Sequence, residues 1–124
     1  MSTTTVPTAG TNLTILVGRL SRDAELRTLP SGDQLVAFEL TVRPHDGPAE
    51  SVPVTWPDPP ASASTWTAGE ELIVTGRVRR RYFRAGGSTQ SRTEVVANRA
   101  VPTRRKAAAG KALTAALQAL PGGL

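Results

Sequence analysis

The segment from Leu72 to Arg84 constrains this chain most, because it is typical of one long β-strand that begins apolar and becomes strongly basic. Successive side chains of a strand point to opposite faces of its sheet. One face then carries three arginines and an aromatic ring, namely Arg77, Arg79, Arg81 and Phe83. The other face carries Val74, Val78, Arg80 and Tyr82, so Tyr82 is expected in the core or at an interface rather than stacked on a base. Since guanidinium groups do not form a hydrophobic core, the first face is predicted to lie at the surface.

This basic face has two interpretations. Arginines can neutralise phosphates while an aromatic ring stacks on a base, which is how proteins hold single-stranded nucleic acid without reading its sequence. Alternatively, the segment is a solvated edge strand whose charges discourage aggregation. The combination of arginines with a ring on one face favours nucleic-acid binding.

The composition excludes several kinds of site. Without cysteine, the 124-residue chain has neither a disulfide framework nor a thiolate metal site. The single histidine, His45, argues against a histidine-based metal site and against a Ser-His-Asp triad. No second catalytic element accompanies the neighbouring carboxylates Asp23 and Glu25, so we expect a protein that is not an enzyme and needs no metal or organic cofactor.

The charge and the apolar runs indicate the kind of partner and compartment. A formal net charge of +5, carried mostly by arginine, suggests a polyanionic partner. No run approaches the ~20 apolar residues of a membrane span, and residues 1–10 lack a signal-peptide pattern. We therefore expect a cytoplasmic protein with no membrane contact.

The pattern along the chain predicts a flexible leader over residues 1–10 and an all-β domain over residues 11–102. Strands are expected at residues 12–20 (continuing over 24–29), 34–43, 50–56, 72–84 and 90–101, with a short helix at 61–67. In the second strand, Val36, Phe38, Leu40 and Val42 are expected to face the core, and Trp66, just before the fourth strand, is expected to cap the barrel. The Gly86-Gly87 pair is expected at a hairpin tip. Five strands with a helix between the third and the fourth is the plan of the OB-fold, a partly open barrel that binds oligonucleotides on one face.

Residues 103–124 are predicted to form a C-terminal tail. After the basic run at residues 104–106, an alanine-rich segment places Leu113, Ala116, Leu117 and Leu120 at the spacing of an amphipathic helix. An isolated helix of this length is marginal in water. The helix is therefore expected either to pack across a subunit interface and bury its leucines, or to be disordered in the free protein.

Four stretches resemble the bacterial single-stranded DNA-binding proteins of the SSB type. They are NLTILVG at residues 12–18, RDAELRTLPSG at 22–32, residues 69–83, and TEVVAN at 93–98, and they occur in the family's order and at similar spacing. The resemblance covers about residues 11–102. It implies an OB-fold, a homotetramer (with a dimer as the alternative), sequence-independent wrapping of single-stranded DNA at the nucleoid, and roles in DNA replication, repair and recombination.

The resemblance also implies site residues. Phe83 corresponds to a base-stacking aromatic, Arg79 and Arg81 to DNA-contacting basic residues, and Trp56 falls near a stacking aromatic at the end of the third strand. The predicted centre of the DNA-binding site is Arg77, Arg79, Arg81 and Phe83, with Arg19, Arg22, Trp56, Arg84 and Arg92 as outer contacts.

The chain departs from the family in three places. The loop at residues 43–48 has no aromatic, Glu50 or Ser51 stands where the family has tryptophan, and residues 121–124 lack the acidic tip through which the family recruits replication proteins. Each base stack is worth about 1–3 kcal/mol, so binding should be weaker than in the family. These departures favour a divergent paralogue, and they leave a rival function open: an OB-fold adaptor of the replication machinery, of primosomal type, that binds proteins and has only weak affinity for nucleic acid.

Overall fold

The protein, seen here as a computed structural model, is described at residue 6 and over residues 10–120. The predicted leader at 1–10 and the chain end at 121–124 therefore lie largely outside the described residues. The elements are β1 (Thr14–Leu20), β2 (Glu25–Thr28), β3 (Gln34–Val42), β4 (Glu50–Pro57), a 3₁₀ helix (Ala61–Thr65), β5 (Glu71–Ala85), β6 (Ser88–Pro102) and α1 (Lys106–Gln118).

The strands form one sheet that closes partly on itself. Their order is β1-β5-β6-β4-β3-β2, and β1 also pairs with β3 through Arg19 with Thr41 and Leu20 with Leu40. Only β4 and β6 run parallel, while every other described pair is antiparallel. The first expected strand is divided into β1 and β2 at residues 21–24, so the six observed strands correspond to the five predicted ones. The predicted OB-fold is therefore confirmed.

The core lies inside the barrel and follows the alternation of the strands. In β3, Val36, Phe38 and Leu40 are buried, as the pattern predicted. Two tryptophans close this core, since the rings of Trp56 and Trp66 stack with their centroids 6.0 Å apart and an interplanar angle of 24°. Trp66 is thus a core residue, in agreement with its prediction.

Two glycines allow backbones to approach closely where the barrel bends. A β-carbon on Gly18 would lie 2.7 Å from the carbonyl oxygen of Thr41, which belongs to the strand that closes the barrel. A β-carbon on Gly76 would collide with the carbonyl of Val96, at a shift in the register between β5 and β6. Strand glycines often mark such bends and bulges.

Helix α1 is ordered and packs on its own chain, which corrects the expectation of a disordered tail, while burial of its leucines at a subunit interface stays a prediction. It covers the outer side of the sheet, where Ala112 lies in a small buried cluster with Ile73 and Val101. Alanines rather than leucines form the buried stripe, because small side chains let the helix lie close to the strands, and Leu113 remains 39% exposed. Over the described residues no helix has both the length and the apolar character needed to cross a membrane.

Candidate nucleic-acid interface

The second half of β5 forms a ribbon with β6. β1 pairs with β5 only as far as Gly76, so the rest of β5 is paired with β6 alone. A two-residue turn joins the strands, and Gly86 and Gly87 take positive φ angles of 58° and 80°, as a tight hairpin of twisted strands requires. In this half of β5, residues 77–84 are exposed except for the half-buried Arg79.

The ribbon presents the arginines on the outer side of the sheet. Cross-strand partners share a face, and the register is Arg77 with Val96, Arg79 with Glu94, Arg81 with Arg92, and Phe83 with Gln90. This register agrees with the predicted alternation. We call the set consisting of Arg77, Arg79, Arg81, Phe83, Arg92 and Glu94 the arginine face.

The aromatic ring of the arginine face lies beside a guanidinium group. The guanidinium carbon of Arg81 lies 5.5 Å from the centroid of the Phe83 ring, within the range of a cation–π contact. The Phe83 residue is 36% exposed. A partly exposed ring braced by an arginine can offer its free surface to a flat ligand.

Glu94 is the residue of this face that the sequence interpretation missed. Its side chain is only 3% exposed, and its Oε1 accepts hydrogen bonds from Arg79 Nη2 and Arg81 Nε, both at 3.1 Å. Its Oε2 accepts a hydrogen bond of 2.7 Å from the Thr55 hydroxyl of β4. Burial raises the pKa of Glu94, but the bonds from Thr55 and Arg79 and the charges of both arginines outweigh it and hold the pKa below its ordinary value. Two of the central arginines therefore already share one carboxylate.

A polar groove of about 170 Å³ continues from the arginine face towards β2 and β3. It brings Arg22 and Arg92 together with Arg81. Arg22 is paired with Glu39 at 3.1 Å. The basic and acidic side chains lining the groove are Arg22, Arg27, Arg81, Arg92, Asp23, Glu25, Glu39 and Glu94.

Three residues that were predicted to contact DNA do not lie on the arginine face. Trp56 was expected to touch DNA, but the residue is only 8% exposed and its ring is stacked on Trp66 inside the core, so it does not lie on the arginine face. Arg84 lies on the opposite face of β5 from Phe83, and its Nη2 donates to the carbonyl of Gly87 in the turn. Arg19 pairs with Glu71 at the start of β5, roughly 20 Å along the strand from Arg77 at about 3.3 Å per residue.

Tyr82 was expected in the core or at an interface between subunits. The core is excluded, because 67% of the residue is exposed. It lies opposite Ser91, on the face of the ribbon that carries Val78 and Arg80. The interface remains a prediction.

The comparison with known families identifies the kind of protein that has this barrel and this arginine face. The model of the single-strand binding protein family matches residues 11–103, which include all six strands. The chain belongs to the single-strand binding protein family. Arg79, Phe83 and Glu94 all lie within the part that matches the family.

Several streptococcal single-stranded DNA-binding proteins are similar to this chain. A single-stranded DNA-binding protein of Streptococcus pyogenes serotype M3 is 36% identical over 96 residues, covering 70% of this chain and 59% of its own length. One from Streptococcus pneumoniae serotype 4 is 37% identical over 95 residues, covering 69% and 61%. One from Streptococcus mutans serotype c is 35% identical over 96 residues, covering 70% and 58%. The chain thus spans about three fifths of the length of the curated relatives it matches.

Proposed function

We propose that this protein binds single-stranded DNA without reading its sequence, through phosphate contacts and base stacking on the arginine face. The observation that carries the proposal is the placement of Arg77, Arg79, Arg81 and Phe83 on one side of the β5–β6 ribbon. Arginine charge with an aromatic platform is the combination that holds single strands. The names of the streptococcal relatives, which are single-stranded DNA-binding proteins, support the same function.

The charges of the face support binding to a polyanion. Four arginines and one glutamate give the arginine face a net charge of three positive units, from Arg77, Arg79, Arg81, Arg92 and Glu94. Neither Arg77 nor Arg92 has an ion-pair partner within the described part of the chain. We propose that these two bind phosphate first and that Arg22, at the far side of the groove, extends the path.

The wider biological role follows from the family and is part of the proposal. We propose that residues 11–102 form the binding domain of a cytoplasmic, non-enzymatic protein that protects single strands during replication, repair or recombination. We also propose that copies of the chain associate, as a tetramer or a dimer. The exposed apolar surface of Val17 and Val78, 50% and 46% respectively, supports association. Light scattering after size-exclusion chromatography distinguishes these states from a monomer.

Fluorescence anisotropy of labelled oligo(dT), compared with a duplex of equal length at 50 mM and 150 mM salt, tests the proposed function. We expect tight binding to the single strand and weak binding to the duplex at both salt concentrations. Equal affinity for the single strand and the duplex that disappears at the higher salt would show that binding rests on charge alone, without base stacking. That result would overturn the proposal in favour of the protein adaptor.

A further inference from the structure

We propose that Glu94 competes with DNA phosphate for Arg79 and Arg81. It thereby limits both the affinity of the arginine face for a single strand and the salt dependence of that affinity. This inference rests on the proposed function and adds a residue that tunes it. The observation behind it is that a single buried carboxylate takes hydrogen bonds from two of the three central arginines.

Glu94 cannot leave the arginines by turning into solvent. Its side chain is 3% exposed, and the hydroxyl of Thr55 holds its second oxygen from the neighbouring strand at 2.7 Å. The guanidinium groups are freer, since the side chains of Arg79 and Arg81 are 39% and 50% exposed. When a phosphate approaches, the arginines are therefore the partners that move and the carboxylate is the partner that stays.

The hydrogen bonds to Glu94 use only part of what the arginines offer. A guanidinium group carries five N–H donors. Arg81 donates to Glu94 through Nε, and Arg79 donates through Nη2. Nε of Arg79 is buried and has no hydrogen-bond partner within the described residues. A buried donor without a partner costs free energy, so the Arg79 guanidinium gains by shifting towards an additional acceptor such as a phosphate oxygen.

The carboxylate also reduces the charge that a phosphate meets. Arg79 and Arg81 together carry two positive charges, and Glu94 cancels one of them. In single-strand binding, each phosphate neutralised by the protein contributes about 0.7 to the slope of log affinity against log salt. We infer that the pair supplies one effective phosphate contact with Glu94 charged, and two without that charge.

The substitution Glu94→Gln tests this inference because it removes the charge and keeps the shape. The amide oxygen of glutamine can accept from both arginines while its NH₂ group donates to the Thr55 hydroxyl oxygen, and the hydroxyl proton of the half-buried Thr55 turns to solvent. The partly exposed guanidinium groups remain solvated. The variant is therefore expected to fold, and its far-ultraviolet circular dichroism spectrum and thermal unfolding check this.

The measurement is the affinity for oligo(dT) by anisotropy at several salt concentrations between 50 and 200 mM. For Glu94→Gln we expect a slope steeper by about 0.7, so that its affinity falls about 2.6-fold more than that of the wild type over this fourfold change in salt. Glu70→Gln is the matched control, because it removes the same charge from a carboxylate that pairs with Arg104, away from the arginine face. Glu94→Asp keeps the charge and is expected to keep the wild-type slope.

The outcomes separate this inference from the proposed function. Wild-type binding to oligo(dT) with equal slopes for Glu94→Gln, Glu70→Gln and the wild type would overturn the role of Glu94 and leave the proposed function standing. Weaker binding by Glu94→Gln with an unchanged slope would assign Glu94 a purely structural role and also overturn the inference. A wild-type protein that does not prefer the single strand would overturn the proposed function and this inference with it.

Discussion

The guanidinium group of Arg81 lies 5.5 Å above the ring of Phe83, so the charge and the aromatic platform of the face form one unit. Arg81 is itself held by the buried carboxylate of Glu94, at 3.1 Å. The ring is therefore braced from the core outwards, through Thr55, Glu94 and Arg81 in turn. Such bracing fixes the orientation of a stacking surface before a ligand arrives, and pre-organisation reduces the cost of binding.

Replacing Phe83 with alanine is expected to weaken oligo(dT) binding by about 1–3 kcal/mol, because one base loses its stacking surface. Anisotropy titration at fixed salt measures the change. Phe83→Tyr serves as the control, since it keeps an aromatic ring and should retain most of the affinity. Full affinity in a folded Phe83→Ala protein would show that no base stacks on Phe83.

Arg77→Ala is expected to lower the slope of log affinity against log salt by about 0.7, the contribution of one phosphate contact on a single strand. Arg77 is exposed and has no ion-pair partner among the described residues, so its loss leaves no carboxylate unpaired. Lys111→Ala removes the same charge from the exposed side of α1 and should not change the slope. An unchanged slope for Arg77→Ala would place the path of the DNA elsewhere.

Trp56→Ala is expected to destabilise the fold by about 3–5 kcal/mol, because a large side chain leaves a cavity in the core. Its ring packs 6.0 Å from that of Trp66. Urea unfolding followed by circular dichroism measures this loss. Tyr82→Ala, at a residue that is 67% exposed, should stay within about 0.5 kcal/mol of the wild type. A stable Trp56→Ala protein with weakened DNA binding would contradict the burial of this ring and restore it to the interface.

Lowering the pH is expected to reduce the free energy of unfolding, because protonation of Glu94 removes the stabilisation that its charge provides. Its pKa is lower in the folded protein than its ordinary value, despite the opposing effect of burial, because Thr55, Arg79 and Arg81 stabilise the charged form. A depressed carboxyl pKa stabilises the fold above the unfolded pKa of about 4.3, and this share is lost as the pH falls through the folded pKa. Urea unfolding between pH 7 and pH 3 should show a larger loss for the wild type than for Glu94→Gln. Parallel pH profiles of the two proteins would argue against a charged Glu94 in the folded state. Glu25→Gln is the control, and it should follow the wild type because this carboxylate is 65% exposed.

The fold was predictable from the sequence because its strands alternate clearly and its turns carry glycine. The alternation of Val36, Phe38 and Leu40 gave the core face of β3, and the Gly86-Gly87 pair gave the hairpin. The break at residues 21–24 was not expected, since the flanking segments both have strand character and only the pairing of β2 with β3 separates them.

The position of Glu94 could have been found from the hairpin alone. A two-residue turn pairs residues that are equally distant from it, and Arg79 stands seven residues before Gly86 while Glu94 stands seven after Gly87. The role of Thr55 could not have been found in this way, because the short parallel pairing of β4 with β6 depends on how the whole barrel closes. Trp56 was assigned to the site from the family resemblance, although its alternation with Val52 and Val54 is that of a core face.

The predicted stripe of helix α1 contained the buried Ala116 but missed Ala112, because the pattern contains two apolar stripes. The leucines are the more hydrophobic stripe, but the close approach of the helix to Ile73 and Val101 favours the alanines. Packing at short distance selects small side chains, and hydrophobic periodicity alone does not include that requirement.

Photocrosslinking to an oligo(dT) in which thymines are replaced by 5-bromouracil, followed by mass spectrometry of the peptides, tests the central claim most directly. We expect crosslinks to concentrate at Phe83 and its neighbours on β5 and β6, and to decrease in the Phe83→Ala protein. Crosslinks confined to α1, or to strands outside the arginine face and its groove, would contradict the assignment of this face to single-stranded DNA.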